Sequence, residues 1–231
     1  MTHAGWLTSS RVLMVAGKGG VGSSTVAAAA ALAAARMGAD VLFVGVDGRP
    51  GMGRLLGGRD LDPTDRVLQR VPGGGQVRGC TVPPDRAFTE YLELKGVGGL
   101  LRKAASAASL PMIAAATPGL EYLLVLGAIK EFDRQRRADL IVVDAPPAGH
   151  AGPFLASAAG LAGAVRSGPV RDQADEVSEM LTDPTRCGTT LVTLPEETPV
   201  NEVVELHHQI HDVVGIADRP LIVNGCWPDR P

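Results

Sequence analysis

Gly17-Lys18-Gly19-Gly20-Val21-Gly22-Ser23-Ser24-Thr25 is the stretch on which the reading of this chain turns. The short aliphatic run Arg11-Val12-Leu13-Met14-Val15-Ala16 leads into it and predicts a strand. Val26 to Ala35, almost pure alanine, leads out of it and predicts a helix. Strand, glycine-rich loop and helix in that order form the context of a phosphate-binding loop. Glycines let backbone N–H groups curl around an oxyanion, and the helix N-terminus adds its positive dipole end. Within the frame G-x-x-x-x-G-K-[ST], Gly17 and Gly22 fit, Ser24 falls where a Mg²⁺-holding hydroxyl belongs, and Thr25 can donate to an inner phosphate. Ser23 stands where the frame has lysine. A neutral, short hydroxyl there forgoes a charge-assisted hydrogen bond of about 1.5–3 kcal/mol, one to two decades in affinity or rate. Lys18, inside the loop, is the compensating cation.

The rest of the chain continues the alternation. Val41-Leu42-Phe43-Val44-Gly45-Val46 predicts a buried parallel strand, with Asp47 at its carboxyl end, where open α/β sheets place their binding sites. Leu140-Ile141-Val142-Val143 ends in Asp144, the form of a strand whose carboxylate holds Mg²⁺ beside the loop hydroxyl. The Pro/Gly segment that follows, through Gly149 and His150, is placed to turn a backbone N–H toward a terminal phosphate. A short helix is expected within 48–56, a turn at Pro72-Gly73-Gly74-Gly75, a weak strand near 79–82 and a helix over 85–94. Residues 96–132 read as helices broken at Pro111 and Pro118, the last starting at Glu121, its apolar stripe serving as core or as a groove for an apolar partner. Strands at 190–194 and 221–223 flank a helix near 201–213. On that helix His207 and His211 stand at i, i+4, metal-capable in spacing, though without a third ligand in the sequence a solvated helix face is the plainer reading.

Composition narrows the classes. A chain of 231 residues, 45% hydrophobic and 20% charged, is expected to form one domain with a large core. A net charge of −3 and 3% aromatics leave no electrostatic footprint for nucleic acid. Cys80, Cys187 and Cys226 are odd in number and widely spaced, so they read as buried small hydrophobes. Residues 1–10 hold no apolar signal core, which predicts a cytoplasmic protein, and 145–165 is too rich in Gly and Pro for a membrane span.

The loop 17–25 resembles the deviant Walker A of the arsenite-pump (ArsA) and tail-anchored-protein targeting ATPases, a class that includes MinD, ParA and the nitrogenase iron protein. Lys18 matches the signature lysine of that class, which reaches a partner's nucleotide across a dimer. The stretch DAPPAGH, Asp144 to His150, is similar to the switch II motif DTAPTGH, and Asp47 falls at the switch I aspartate that positions the attacking water. LVTLPEETPVNE, Leu191 to Glu202, and Ile222-Val223-Asn224 also resemble family segments, the asparagine being an adenine contact. The likeness covers nearly the whole chain and is nearest the actinobacterial members.

This resemblance implies a doubly wound, mainly parallel α/β P-loop fold with helices on both faces, and ATP and Mg²⁺ as ligands. Gly17, Lys18, Gly19, Gly20, Val21, Gly22, Ser23, Ser24, Thr25, Gly149 and Asn224 would meet the nucleotide, Ser24 and Asp144 the metal, and Lys18 and Asp47 would be the catalytic pair. It further implies a homodimer, or a heterodimer with a paralogue, and a hydrophobic client or membrane-protein partner. Three departures shape the expectation. Ser23 weakens turnover or makes the chain a non-catalytic subunit beside an active paralogue. No residues match the arsenite-binding cysteines. Family members run longer, so the C-terminal part of the family domain is expected to be missing. A nitrogenase-type role needs a switch II cysteine, and a ParA- or MinD-like role needs DNA-binding basic residues or a C-terminal amphipathic helix; the sequence has neither.

Overall fold

A computed structural model describes residues 5–46, 48, 50–94 and 117–227. In chain order the elements are β1 (Val12–Gly17), α1 (Ser23–Arg36), β2 (Asp40–Gly45), the short α2 (Met52–Leu55), β3 (Arg66–Arg70), β4 (Gln76–Thr81) and α3 (Pro84–Leu94). After the undescribed 95–116 come α4 (Leu120–Arg134), β5 (Leu140–Asp144), α5 (Ala148–Ala164), α6 (Pro169–Thr182), β6 (Cys187–Thr193), α7 (Glu197–His208) with a π-helical continuation over Gln209–Val214, and β7 (Ile222–Val223). The strands make one seven-stranded sheet in the order β3-β4-β2-β5-β1-β6-β7, parallel throughout except for the β3–β4 pair. This is the mainly parallel α/β sheet, covered on both faces, that the loop and the alternation predict.

The central strands are aliphatic without interruption because both faces are buried. Leu13, Val15, Phe43 and Val142 face α1, whose Ala27, Ala31 and Ala34 have no accessible surface. Alanine there lets a helix lie close on the sheet. Met14, Leu42, Val44 and Val143 face the opposite layer, built by α3 to α7 around Leu126, Phe154, Val177 and Leu206. Charged groups close the amino ends of the strands. Asp133, at the end of α4, accepts from Arg11 Nε at 2.6 Å and from Arg186 Nε at 2.9 Å, and its side chain is fully buried.

Several boundaries differ from the sequence reading. β3 is an edge strand of half-exposed, charged residues with a bulge between Val67 and Gln69, so it carries no buried alternation. The turn at 72–75 joins it to β4, which starts three residues before the expected 79. α5 spans a segment whose Gly, Ala and Pro153 conceal any helical period. α6, which the sequence reading does not assign, packs Ala174, Val177 and Leu181 against the core. The expected helix at 201–213 starts earlier, at Glu197, and the strand at 190–194 begins at Cys187. The expected break at Pro111 lies outside the described residues. Cys80 and Cys187 are buried, and burial pushes both thiols up to about 12; Cys226 is exposed, a correction to its reading as a core residue. Among the described residues no helix is long and apolar enough to cross a membrane.

Candidate nucleotide site

The site lies at the carboxyl ends of β1, β2 and β5, where register brings their termini side by side. Asp144 is level with Val15 of β1 and Gly45 of β2. Gly17 is the last residue of β1 and nothing larger fits there: a Cβ would lie 2.6 Å from the Val192 carbonyl oxygen and 2.9 Å from Val21 Cγ2. The loop then leaves the sheet, with Gly19 and Gly20 exposed and Val21 buried as its anchor. Gly22 turns the chain into α1 with φ of 84°, a left-handed conformation that favours glycine. Val26 N–H donates back to the Gly22 carbonyl at 2.9 Å, which starts the helix. No side chain caps the start of α1, so its first N–H groups face the loop mouth as donors for an anion.

Two oxygens meet at the centre. Ser24 Oγ donates to Asp144 Oδ2 at 2.8 Å, although the residues are 120 positions apart in sequence. Asp144 is 2% exposed, and Ser24 is half-buried on the first turn of α1. A hydroxyl and a carboxylate are hard oxygen donors of the kind Mg²⁺ takes, so Ser24 and Asp144 could hold such an ion. Ser23, in the lysine position, is 8% exposed, and Thr25 is exposed.

The other candidates lie around this pair. Lys18 forms an ion pair with Glu202 of α7, Nζ to Oε1, with about a third of each side chain accessible. Asn224 donates its side-chain N–H to the Val21 carbonyl at 2.8 Å while its backbone N–H donates to the Thr193 carbonyl at 2.8 Å, so it braces the loop from the end of β7. Pro147 lies beside the loop, 3.8 Å from where a Cβ on Gly19 would be, and Gly149 is exposed on the first turn of α5. His150 Nδ1 meets the Tyr122 hydroxyl at 3.1 Å. Asp47 lies outside the described residues, one position past Val46, whose N–H donates to the Asp144 carbonyl at 3.3 Å. Glu202 and Tyr122 are the two site neighbours that sequence reasoning passes over. Glu202 closes the segment LVTLPEETPVNE, but only the fold brings it back over the loop.

Sheet order, loop and paired oxygens define an α/β fold of the P-loop NTPase type. Residues 10–53 match the ArsA ATPase family model, described as an anion-transporting ATPase. The chain is 36% identical over 216 residues to ATPase BagA of Mycobacterium tuberculosis, covering 88% of this chain and 63% of that protein. It is 25% identical over 235 residues to an arsenical pump-driving ATPase of Acidiphilium multivorum, covering 94% of this chain and 40% of the relative. An uncharacterised protein of Streptomyces coelicolor is 36% identical over 165 residues, 68% of this chain and 39% of its own length. These matches support an ArsA-like family for this chain. The chain spans less than two thirds of the length of these relatives.

Proposed function

We propose that the chain binds ATP with Mg²⁺ and uses the nucleotide to switch between two assembly states, as a dimer with a copy of itself or with a paralogue. The observation that carries this reading is the 2.8 Å contact between Ser24 Oγ and Asp144 Oδ2 at the mouth of the glycine loop. Those two oxygens would hold the metal, which neutralises charge on the outer phosphates. The N–H groups of 19–25 would cradle the phosphates, with Gly149 closing from the switch II side and Asn224 lying toward the base. Asp47 would position water, so that Asp47→Asn spares binding and removes residual turnover.

Lys18 is the element through which assembly would respond. In the structure it is held by Glu202 of its own chain. A partner's nucleotide would compete for its ammonium, and a ligand shifts an equilibrium only through such differential contacts. In sedimentation with a non-hydrolysable ATP analogue, wild type should dimerise and Lys18→Ala should not. Dimerisation that survives Lys18→Ala contradicts the trans contact.

Ser23 favours a second reading. A buried hydroxyl in the lysine position removes a cation from the outer phosphates, and this supports slow hydrolysis or none, with the chain acting as the binding subunit of a mixed dimer. Co-sedimentation with a lysine-complete paralogue, where wild type alone stays monomeric, separates the two. A hydrophobic client or a membrane-protein partner belongs to the same proposal by analogy with the family.

A further inference from the structure

The outer face of α7 carries a cluster that the nucleotide site does not use. His207 and His211 have ring centroids 5.5 Å apart and planes inclined by 31°. Each has its Nδ1 near a carboxylate, and His211 is hydrogen-bonded to its own. His207 Nδ1 is 3.4 Å from Asp218 Oδ1, and His211 Nδ1 is 3.2 Å from Asp212 Oδ1. A carboxylate on Nδ1 selects the tautomer with its proton there, which leaves the Nε2 lone pair for another partner. His208 faces the same Asp212, at 3.6 Å, and its ring is 5.8 Å from that of His207.

We propose that His207 and His211 together bind one divalent transition-metal ion of the zinc type through their Nε2 atoms. Two metal–nitrogen bonds of about 2.0–2.1 Å set imidazole rings about 5 Å apart, close to the separation already present. The paired carboxylates match the outer-shell pattern that orients metal-bound histidines. The backbone of β6 fixes Asp218 in position. Asp218 bridges to Thr189 of that strand, and the next residue, Arg219, donates its N–H to the Thr189 carbonyl at 2.8 Å. Arg219 itself turns its guanidinium to the Pro184 carbonyl at 2.7 Å. The helix changes register between the two histidines. His207 belongs to α7 and His211 to the π turn, which ends with Gly215 N–H donating to the Ile210 carbonyl at 3.0 Å. π turns are rare and frequent at functional sites.

Among the described residues no group of three or more His, Cys, Asp and Glu converges on one position, so the protein supplies two ligands and water the others. Imidazole selects Zn²⁺, Ni²⁺ or Cu²⁺ over Mg²⁺, which separates this face chemically from the all-oxygen pair of Ser24 and Asp144.

Calorimetric titration of Zn²⁺ into the chain, with millimolar Mg²⁺ throughout, tests the proposal. One Zn²⁺ per chain is expected, with affinity falling at least tenfold in His207→Ala and in His211→Ala. These side chains are 43% and 58% exposed, so the substitutions leave the core intact. Asp218→Asn should weaken binding about tenfold, as outer-shell partners do. His208→Ala and Ser24→Ala should stay within twofold of wild type. No binding, unchanged affinity in His207→Ala or His211→Ala, or loss in Ser24→Ala overturns the proposal, the last by placing the ion at the glycine loop.

Discussion

Two buried carboxylates stand at opposite ends of the same sheet, and their surroundings differ. Asp133 closes the amino ends of β1 and β6 between the guanidinium groups of Arg11 and Arg186. Asp144 ends β5 at the carboxyl edge, where it accepts from the hydroxyl of Ser24 beside the glycine loop. At the first end two cations of the chain neutralise the charge, and they also offset its placement at the unfavourable end of α4. At the second the hydroxyl of Ser24, at the start of α1, donates to the carboxylate. Positive ends of helices converge at the carboxyl edge of a parallel sheet, which is where the proposed anionic ligand would sit. The amino edge holds a closed ion cluster, and the carboxyl edge holds the proposed site.

The largest effect that would sharpen this contrast is on folding. Asp133→Ala removes the buried carboxylate shared by two partly buried guanidinium groups, leaving them only the half-exposed Asp183, and should cost about 3 kcal/mol in urea unfolding. ATP affinity should be unchanged at urea concentrations where the variant is still folded. A loss under about 1 kcal/mol, the worth of an exposed pair, would mean that the amino edge is no better braced than the site.

The next effect concerns Ser23. Ser23→Lys restores a cation aimed at the outer phosphates and should tighten ATP binding at least tenfold by calorimetry, about 1.4 kcal/mol. Unchanged affinity would mean that the loop does not hold a triphosphate in the expected geometry.

A smaller one separates the two roles of Lys18. Glu202→Gln removes the charge that holds Lys18 within its chain. A part-exposed ion pair is worth up to about 1 kcal/mol, so ATP-dependent association should strengthen by no more than about fivefold for each pair released. Weaker association would show that Glu202 helps the nucleotide-bound state rather than competing with it.

What is legible in the sequence follows the same division between edges. β1, β2 and β5 can be read because burial on both faces makes them unbroken aliphatic runs, and Asp144 can be read because it sits where such a run ends. Ser24 is legible from its place in the loop that follows β1. β3 is not, since an edge strand such as Arg66–Arg70 keeps its charges in water and shows no alternation. α5 hides behind Pro153 and a string of small residues. α6 does carry a stripe at Ala174, Val177 and Leu181, but charged residues surround it and dilute the pattern. The clamp on Asp133 and the pair Lys18–Glu202 join residues 122 and 184 positions apart, and no local pattern encodes such meetings. The three histidines are visible in the sequence, but one of the carboxylates that orient them, Asp218, lies on the far side of a turn.

The central claim is that Ser24 and Asp144 form the metal-dependent half of a nucleotide site. Its most direct test is ATP titration of wild type and Asp144→Ala, each with Mg²⁺ and with the metal chelated. Wild type should bind at least tenfold more tightly with Mg²⁺, and Asp144→Ala should bind with one weak affinity in both conditions. A wild-type affinity that ignores Mg²⁺, or an Asp144→Ala variant that keeps the full Mg²⁺ effect, would contradict it.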